Sequence, residues 1–543
     1  MRKYFIIGLI FFGVFFTGCS PVNQSASDKS QKKIARFSEP AELLTLDTTQ
    51  EEDFTSFNAQ NQVLEGLYQL SQKDEVIPAV AKELPSISAD KQTYTVSLRK
   101  DAKWSNGESV TSKDFLYAWK RAVTPETAPS YASLFVSSIK NAKEIYLGKM
   151  SPDELGVQAP DDYTLVIHLI KPIPYFSSLL TFETFFPINE EFAEKQGDNY
   201  GTSSETTLYN GPFVLKGWEQ NSETWQYVKN PNYWDAKTVK IDEIQNTVVK
   251  STSTAVNLYQ TDELDRVVLD GEFSKQYKND PDFQNQNDTK MGYLRFNQGQ
   301  DKLLKNEQLR KAISLAIDRE TFVNNVLGDG SIAATGFIPQ NFVQNPKTGK
   351  DFRKENGVQQ EFNKEVAKKA FEQAKKELNK DEITLVYLTK DTDTEKKTAE
   401  YLASQIAEVL PEIKFEIVAL PSNNVQDRYL SGEYDIAFGQ WMPDFKDAIT
   451  FLDMFTSTSG LNHINYKNPA YDQLIQATEN ADVADEEKRW SDFLKAEHML
   501  LAEDYAIAPI YQQQTALLQK KNIENVVKHS FGSPYSFKYI EVD

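Results

Sequence analysis

A chain of 543 residues with a single cysteine closes no intrachain disulfide, so whatever it folds into must be held by packing alone. That cysteine, Cys19, also has a telling position. Arg2 and Lys3 give a basic start, residues 4–16 are almost continuously apolar, and Thr17 and Gly18 lead into the thiol. This order reads as a secretory signal over residues 1–18 that ends in a lipoprotein-type cleavage box, with Cys19 lipidated as the first mature residue. The apolar run is shorter than the roughly 17–25 residues of a membrane span. Phe16 departs from the leucine usual three positions before such a cysteine. Residues 19–33 are rich in Ser, Gln, Asn and Lys and bury too little apolar surface to order themselves, so they read as a flexible tether. The expected location is the outer face of the cytoplasmic membrane.

With 40% hydrophobic and 12% aromatic residues, the full chain is able to bury a large core and should form more than one lobe. Its net charge of -20 argues against nucleic acid or anionic lipid as the main partner. The four histidines are scattered and form no HExxH pair, and no GxSxG, GxxxxGK[ST] or GxGxxG occurs. Asp391, Asp393 and Glu395 imitate the start of a calcium loop, but Lys396 and Leu402 stand where that loop needs glycine and glutamate. No cofactor, metal site or catalytic constellation is expected.

Periodicity divides the chain. Tyr94, Val96 and Leu98 alternate with polar neighbours as in a half-buried strand, and Asn106-Gly107 marks a turn. Thr111 with Asp114 predicts a capping box for a helix burying Phe115, Trp119 and Ala122. Residues 164–170 read as a strand with His168 facing away from Leu165 and Ile167, and residues 213–218 and 224–229 as a hairpin. In the second half, residues 307–327 read as one long amphipathic helix ended by Gly328, and 362–378 as another. Strand 383–388, helix 395–410 and strand 414–420 form a βαβ unit, with one more strand at 434–440. Helices at 471–481 and 486–503 precede a strand at 507–518.

Several segments, in order from about Leu44 to the C-terminus, resemble the extracytoplasmic solute-binding proteins of ABC importers, in the oligopeptide, dipeptide and nickel class. They include Leu64-Glu65-Gly66-Leu67-Tyr68, Trp104-Ser105-Asn106-Gly107, Asn210-Gly211-Pro212-Phe213, Asn230-Pro231-Asn232-Tyr233-Trp234, Ala316-Ile317-Asp318-Arg319-Glu320 and Trp441-Met442-Pro443-Asp444. The resemblance implies an α/β, two-lobed fold of the periplasmic-binding-protein type II-like kind with an additional inserted domain. Domain I would comprise residues 34–64, 190–293 and 511–543, domain II the insertion 65–189, and domain III the α/β lobe 294–510. The implied function is a monomeric, lipid-anchored receptor that encloses an extended oligopeptide between its lobes and delivers it to the membrane subunits of an ABC permease.

The resemblance also implies a site. In the oligopeptide branch an aspartate in a Trp-x-x-Asp pattern, here Trp441 to Asp444, meets the peptide's ammonium group. Its place just after a strand of an α/β unit agrees with where such sheets put their ligands. A loop acid capping the next helix is the competing reading of Asp444. Gln440 and Trp441 would line the same cleft, Tyr131 matches a tyrosine near the ligand, and Glu52 to Phe54 fall where the peptide main chain is paired strand-fashion. Phe438 stands where the best-known branch has an arginine that serves short peptides' carboxylates, which weakens any strict selection of length. A signalling peptide such as a mating pheromone is one candidate ligand. Nickel, haem or a sugar is an alternative solute, and a surface peptidase a more distant one.

Overall fold

The computed structural model describes residues 32–50, 54–127 and 131–543. Cys19, its signal and most of the tether lie outside the described residues, as does Glu52. Residues Lys33–Asp543 form one compact unit. Among the described residues no helix is long and apolar enough to cross a membrane.

An 11-stranded mixed sheet runs through this unit. One end is the expected βαβ unit. Ile383–Lys390 and Ile413–Leu420 pair in parallel over eight residues each, joined by the helix Asp393–Val409. Ile436–Trp441 pairs parallel to the first of these strands at Tyr387 and Leu388, and antiparallel to the long strand Phe283–Phe296. That strand in turn pairs with Ile507–Gln519. The sheet then continues through Arg266–Val268, Ile34–Glu39, Glu243–Val248, Thr224–Lys229 and Phe213–Lys216. Strands from both halves of the sequence thus share one ladder.

A separate four-stranded sheet, Ser86–Ile87, Thr93–Ser97, Thr164–His168 and Val157–Asp161, falls within residues 65–189. Val96, Leu165 and Ile167 are fully buried there, while His168 turns the other way to bond Thr93 at 3.2 Å. The predicted capping box exists: Asp114 Oδ2 accepts from the Thr111 backbone N–H at 2.6 Å and starts the helix Ser112–Val123. Its Trp119 is buried with its indole N–H donating to the Phe185 carbonyl at 2.9 Å.

The single helix expected over residues 307–327 is instead broken. Glu307–Leu315 ends, and Arg319–Phe322 restarts with Asp318 as its cap, accepting from Thr321 N–H at 3.0 Å. The cause is Arg319. Its buried guanidinium donates to the carbonyls of Ser314 and Ile317, each at 3.2 Å, and Nε donates to the Pro509 carbonyl at 2.5 Å. The terminal carbonyls that a continuous helix would bond internally are satisfied by a side chain. A wider turn, Val323–Leu327, follows before Gly328, whose φ of 63° suits glycine. The helix expected at 486–503 likewise gives way after His498 to a wide turn, Met499–Glu503.

Candidate functional site

Asp444 follows the strand Ile436–Trp441 by three residues, at the carboxyl end of a strand in the parallel part of the sheet. Asp444 does not cap the next helix, whose N-cap position is Ala448 and has no side-chain cap bond. Asp447 Oδ1 accepts from Ile449 N–H at 3.0 Å at the start of the helix Ile449–Leu452, and its two oxygens pair with Arg489 at 2.7 and 2.9 Å. Asp444 has no side-chain hydrogen bond or ion pair to any described residue. It is half-buried, and burial pushes its carboxyl up to about 7.

Asp444 lines a cavity of about 170 Å³ together with Phe54, Tyr131, Gln440 and Trp441. Five of the residues expected at the site thus meet around one space. Phe57, Phe182 and Gly532 also line it, beside Met442 and Pro443, and were not anticipated. The rings of Phe57, Tyr131 and Phe182 form a triangle with centroids 5.0–5.3 Å apart. Phe57 and Phe182 look like ordinary core aromatics in sequence, and Gly532 comes from the C-terminal segment, so no local signal links them.

The Trp441 indole N–H is buried without a hydrogen-bond partner, which leaves a donor for a ligand. Gln440 is held by donating to the Tyr511 hydroxyl at 2.8 Å. Phe54 opens the helix Phe54–Val63 and is 53% exposed, so it offers a ring to the cavity rather than a strand edge to a peptide. Phe438 lies in an adjoining cavity of about 320 Å³, which shares Phe54, Gln440 and Trp441 with the first. Its ring stacks on Tyr511 with centroids 6.1 Å apart.

A larger groove, about 1070 Å³, runs past Lys73, Tyr94, Asn341 and Trp490. Size alone does not make it the better candidate, because two of its acids are already engaged. Asp447 is paired with Arg489, and Asp74 is bonded to His529 at 2.7 Å. Asp444 offers an unengaged carboxyl beside apolar walls, an arrangement able to receive an ammonium group with an apolar side chain. Among the described residues no group of three or more His, Cys, Asp or Glu side chains is placed to hold a metal ion.

Residues 75–463 match the family model for bacterial extracellular solute-binding proteins, family 5 Middle. The chain is 30% identical over 555 residues to a dipeptide-binding protein of Lactococcus lactis subsp. cremoris, covering 99% of each. Its fold is similar to that of Listeria monocytogenes OppA bound to peptide, with a TM-score of 0.81 and 39% identity across 94% of this chain and 99% of that one. It is similar too to the pheromone receptor PrgZ, with a TM-score of 0.82 and 37% identity across 94% of this chain and 100% of that one.

Proposed function

Because the chain belongs to the bacterial extracellular solute-binding proteins of family 5, we propose that it captures oligopeptides in extended form and hands them to an ABC permease. The observation that carries this reading is the unpaired carboxylate of Asp444 at the end of an aromatic-walled cleft. A peptide's ammonium about 4 Å away gains on the order of 4 kcal/mol at an effective dielectric of 20. Desolvation takes back part of that, so the pair selects for a free amine more than it adds affinity. Trp441 N–H donates to the ligand's backbone, and the Phe57, Tyr131 and Phe182 rings pack against its first side chain. The chemistry is binding and release.

The anchor is lipidated Cys19, whose two acyl chains hold the receptor stably at the outer face of the membrane. The body is a monomer of three domains, 34–64 with 190–293 and 511–543, then 65–189, then 294–510, closing over the peptide. A signalling peptide is a candidate ligand, and the likeness to a pheromone receptor supports it. The test is isothermal titration with one peptide in free and N-acetylated forms. Acetylation is expected to weaken binding at least tenfold, and equal binding by the two forms removes the role given to Asp444.

A further inference from the structure

The loop that carries Asp444 is held in place by other segments of the chain. Residues 442–448 join the strand Ile436–Trp441 to the helix Ile449–Leu452 without regular secondary structure. The far end of the loop is tied within the α/β lobe, where Asp447 pairs with Arg489. On either side of Asp444 the ties run elsewhere. The Pro443 carbonyl accepts from Gly532 N–H at 3.2 Å, and Lys446 N–H donates to Ser178 Oγ at 3.1 Å. Between them the Phe445 ring stacks on Tyr175, with centroids 4.2 Å apart and planes 9° from parallel. Lys446 Nζ also donates to the Asp74 carbonyl at 3.4 Å.

The receiving surface is stiff. Pro172 and Pro174 restrict the backbone just ahead of the short helix Phe176–Leu179, so Tyr175 and Ser178 are presented with little freedom. Asp74 is itself braced, its carboxylate accepting from Ser530 N–H at 3.1 Å and meeting His529 at 2.7 Å. Phe182, just beyond that helix, lines the same cavity as Asp444. One segment therefore both holds the loop of the acid and walls the space the acid faces.

Resting on the peptide reading and the division into domains proposed above, we infer that Tyr175 and Ser178 are positioning residues for ammonium recognition: they hold the Asp444 loop against the cavity only when the lobes are closed. Tyr175, Ser178 and Asp74 belong to the insertion 65–189, Gly532 to 511–543, and Asp444 to the α/β lobe 294–510, so each of these ties crosses between domains. With the lobes apart the loop loses them together. Asp444 is then free to turn to solvent, where a hydrated carboxylate gains little from an ammonium. The preference for a free amine is thus a property of the closed form. A contact that merely favours closure behaves differently. Lys171 also crosses between domains, pairing with Glu479 at 2.8 Å, but neither residue bonds positions 443–446.

The test is isothermal titration of the full chain with Ala-Leu-Ser-Leu-Ala and with its N-acetyl form, taking the ratio of the two affinities. The parent should prefer the free amine at least tenfold. Tyr175→Leu and, separately, Ser178→Ala should each cut that ratio by about three- to tenfold, the loss expected of one stacked ring pair or one hydrogen bond that aligns the acid. Tyr175→Phe keeps the stacked ring and should keep the parent ratio. Lys171→Gln should change both affinities by the same small factor and so preserve the ratio. Ser178→Ala removes only a hydroxyl and serves if Tyr175→Leu does not fold. Residues that only stabilise the closed form would lower both affinities alike, so a ratio unchanged in both variants overturns the inference while leaving the role of Asp444 standing. An equal fall of the ratio in Lys171→Gln also overturns it, because any loosening of closure would then suffice. A parent that binds both forms equally overturns the role of Asp444 and this inference with it, and a parent that binds neither overturns the peptide reading as well.

Discussion

Lowering the pH from 8 to 5 probes Asp444 without altering a residue. Burial holds its carboxyl at about 7 in the free protein, against 3.8 ordinarily. A bound ammonium reverses that preference and returns the pKa toward the ordinary carboxylate range. Binding must then expel a proton wherever the free protein carries one. With a free pKa near 7, a bound pKa near 4 and a peptide α-amino group at about 7.8, linkage predicts affinity greatest between about pH 7 and 8, falling above that range as the amine loses its proton. Below pH 7 it falls toward tenfold per unit, for a loss of about 40-fold from the maximum, or roughly 2.2 kcal/mol, at pH 5. Asp453 is also pushed up to about 7, by burial and then by Glu479 and Asp444, so it titrates in the same range.

Titration calorimetry at pH 8, 7, 6 and 5, in buffers of different ionisation enthalpy, reads both affinity and proton release. About one proton should leave per peptide bound at pH 6. In Asp444→Asn the decline should flatten and affinity at pH 8 should drop at least tenfold. The variant's stability moves the other way. A folded pKa above the unfolded value means that ionising the acid costs the folded state, and the cost accumulates as pH rises from about 4 to 7. Asp444→Asn should therefore melt higher than the parent at pH 8. Affinity independent of pH between 8 and 5 with no proton released would refute this reasoning.

Glu183 is 1% exposed, its Oε2 has no hydrogen-bond partner, and burial pushes its carboxyl up to about 8. Stability should therefore fall as pH rises from about 4.5 to 8, by up to about 1.4 kcal/mol per unit from this group. Glu183→Gln should remove that share of the slope in urea unfolding, and an unchanged slope counts against the assignment. Glu497 is fully buried and accepts from Phe337 N–H at 2.9 Å, Ile338 N–H at 2.8 Å and the guanidinium of Arg353, itself buried. Glu497→Gln leaves that guanidinium without a counter-charge and should cost about 3–5 kcal/mol in urea unfolding. A loss below about 1 kcal/mol would show that the pair contributes little.

Local rules were legible where the energy is local. The Thr111–Asp114 capping box, the βαβ unit and the inward faces of the strand Thr164–His168 all follow from residues within a few positions of each other. The break near Ala316 was not legible, because its cause is a buried arginine that also bonds the carbonyl of Pro509, far along the chain. Spacing places Arg319 on a helix flank, and nothing in periodicity tells a solvated charge from one that caps carbonyls. The site divides the same way. Asp444 and Asp447 lie three residues apart and either is chemically able to cap the helix at Ile449. Only the fold shows that Asp447 is the one that accepts from Ile449 N–H and pairs with Arg489, while Asp444 faces the cavity. Phe57, Phe182 and Gly532 were invisible because their segments converge only in three dimensions.

The strands that knit the sheet together also furnish the cleft, and the strongest physical link between fold and function lies there. Phe283–Phe296 and Ile507–Gln519 pair along most of their length, yet their register slips between Asn287 and Met291 and again between Gly292 and Tyr293. At the first slip the backbone gives up ladder bonds; Gln512 satisfies one freed carbonyl, and Lys528 pairs with the Asp288 side chain. Gln512 Nε2 donates to the Asp288 carbonyl at 2.7 Å, and Lys528 Nζ donates to Asp288 Oδ2 at 2.6 Å. At the second, Gly292 lies so close to the rings of Tyr511 and Phe438 that a Cβ there would come within 2.4 Å of the tyrosine. A regular pair of strands would point every second side chain into the sheet's two faces at fixed intervals. The slips break that interval at the cleft, releasing Lys290 toward Phe54 and packing Phe438 against Tyr511. The irregular ladder is thus the cost in regular pairing at which the sheet acquires the wall of these cavities, and substitutions that restored its register would be expected to stabilise the strands while closing the cavities.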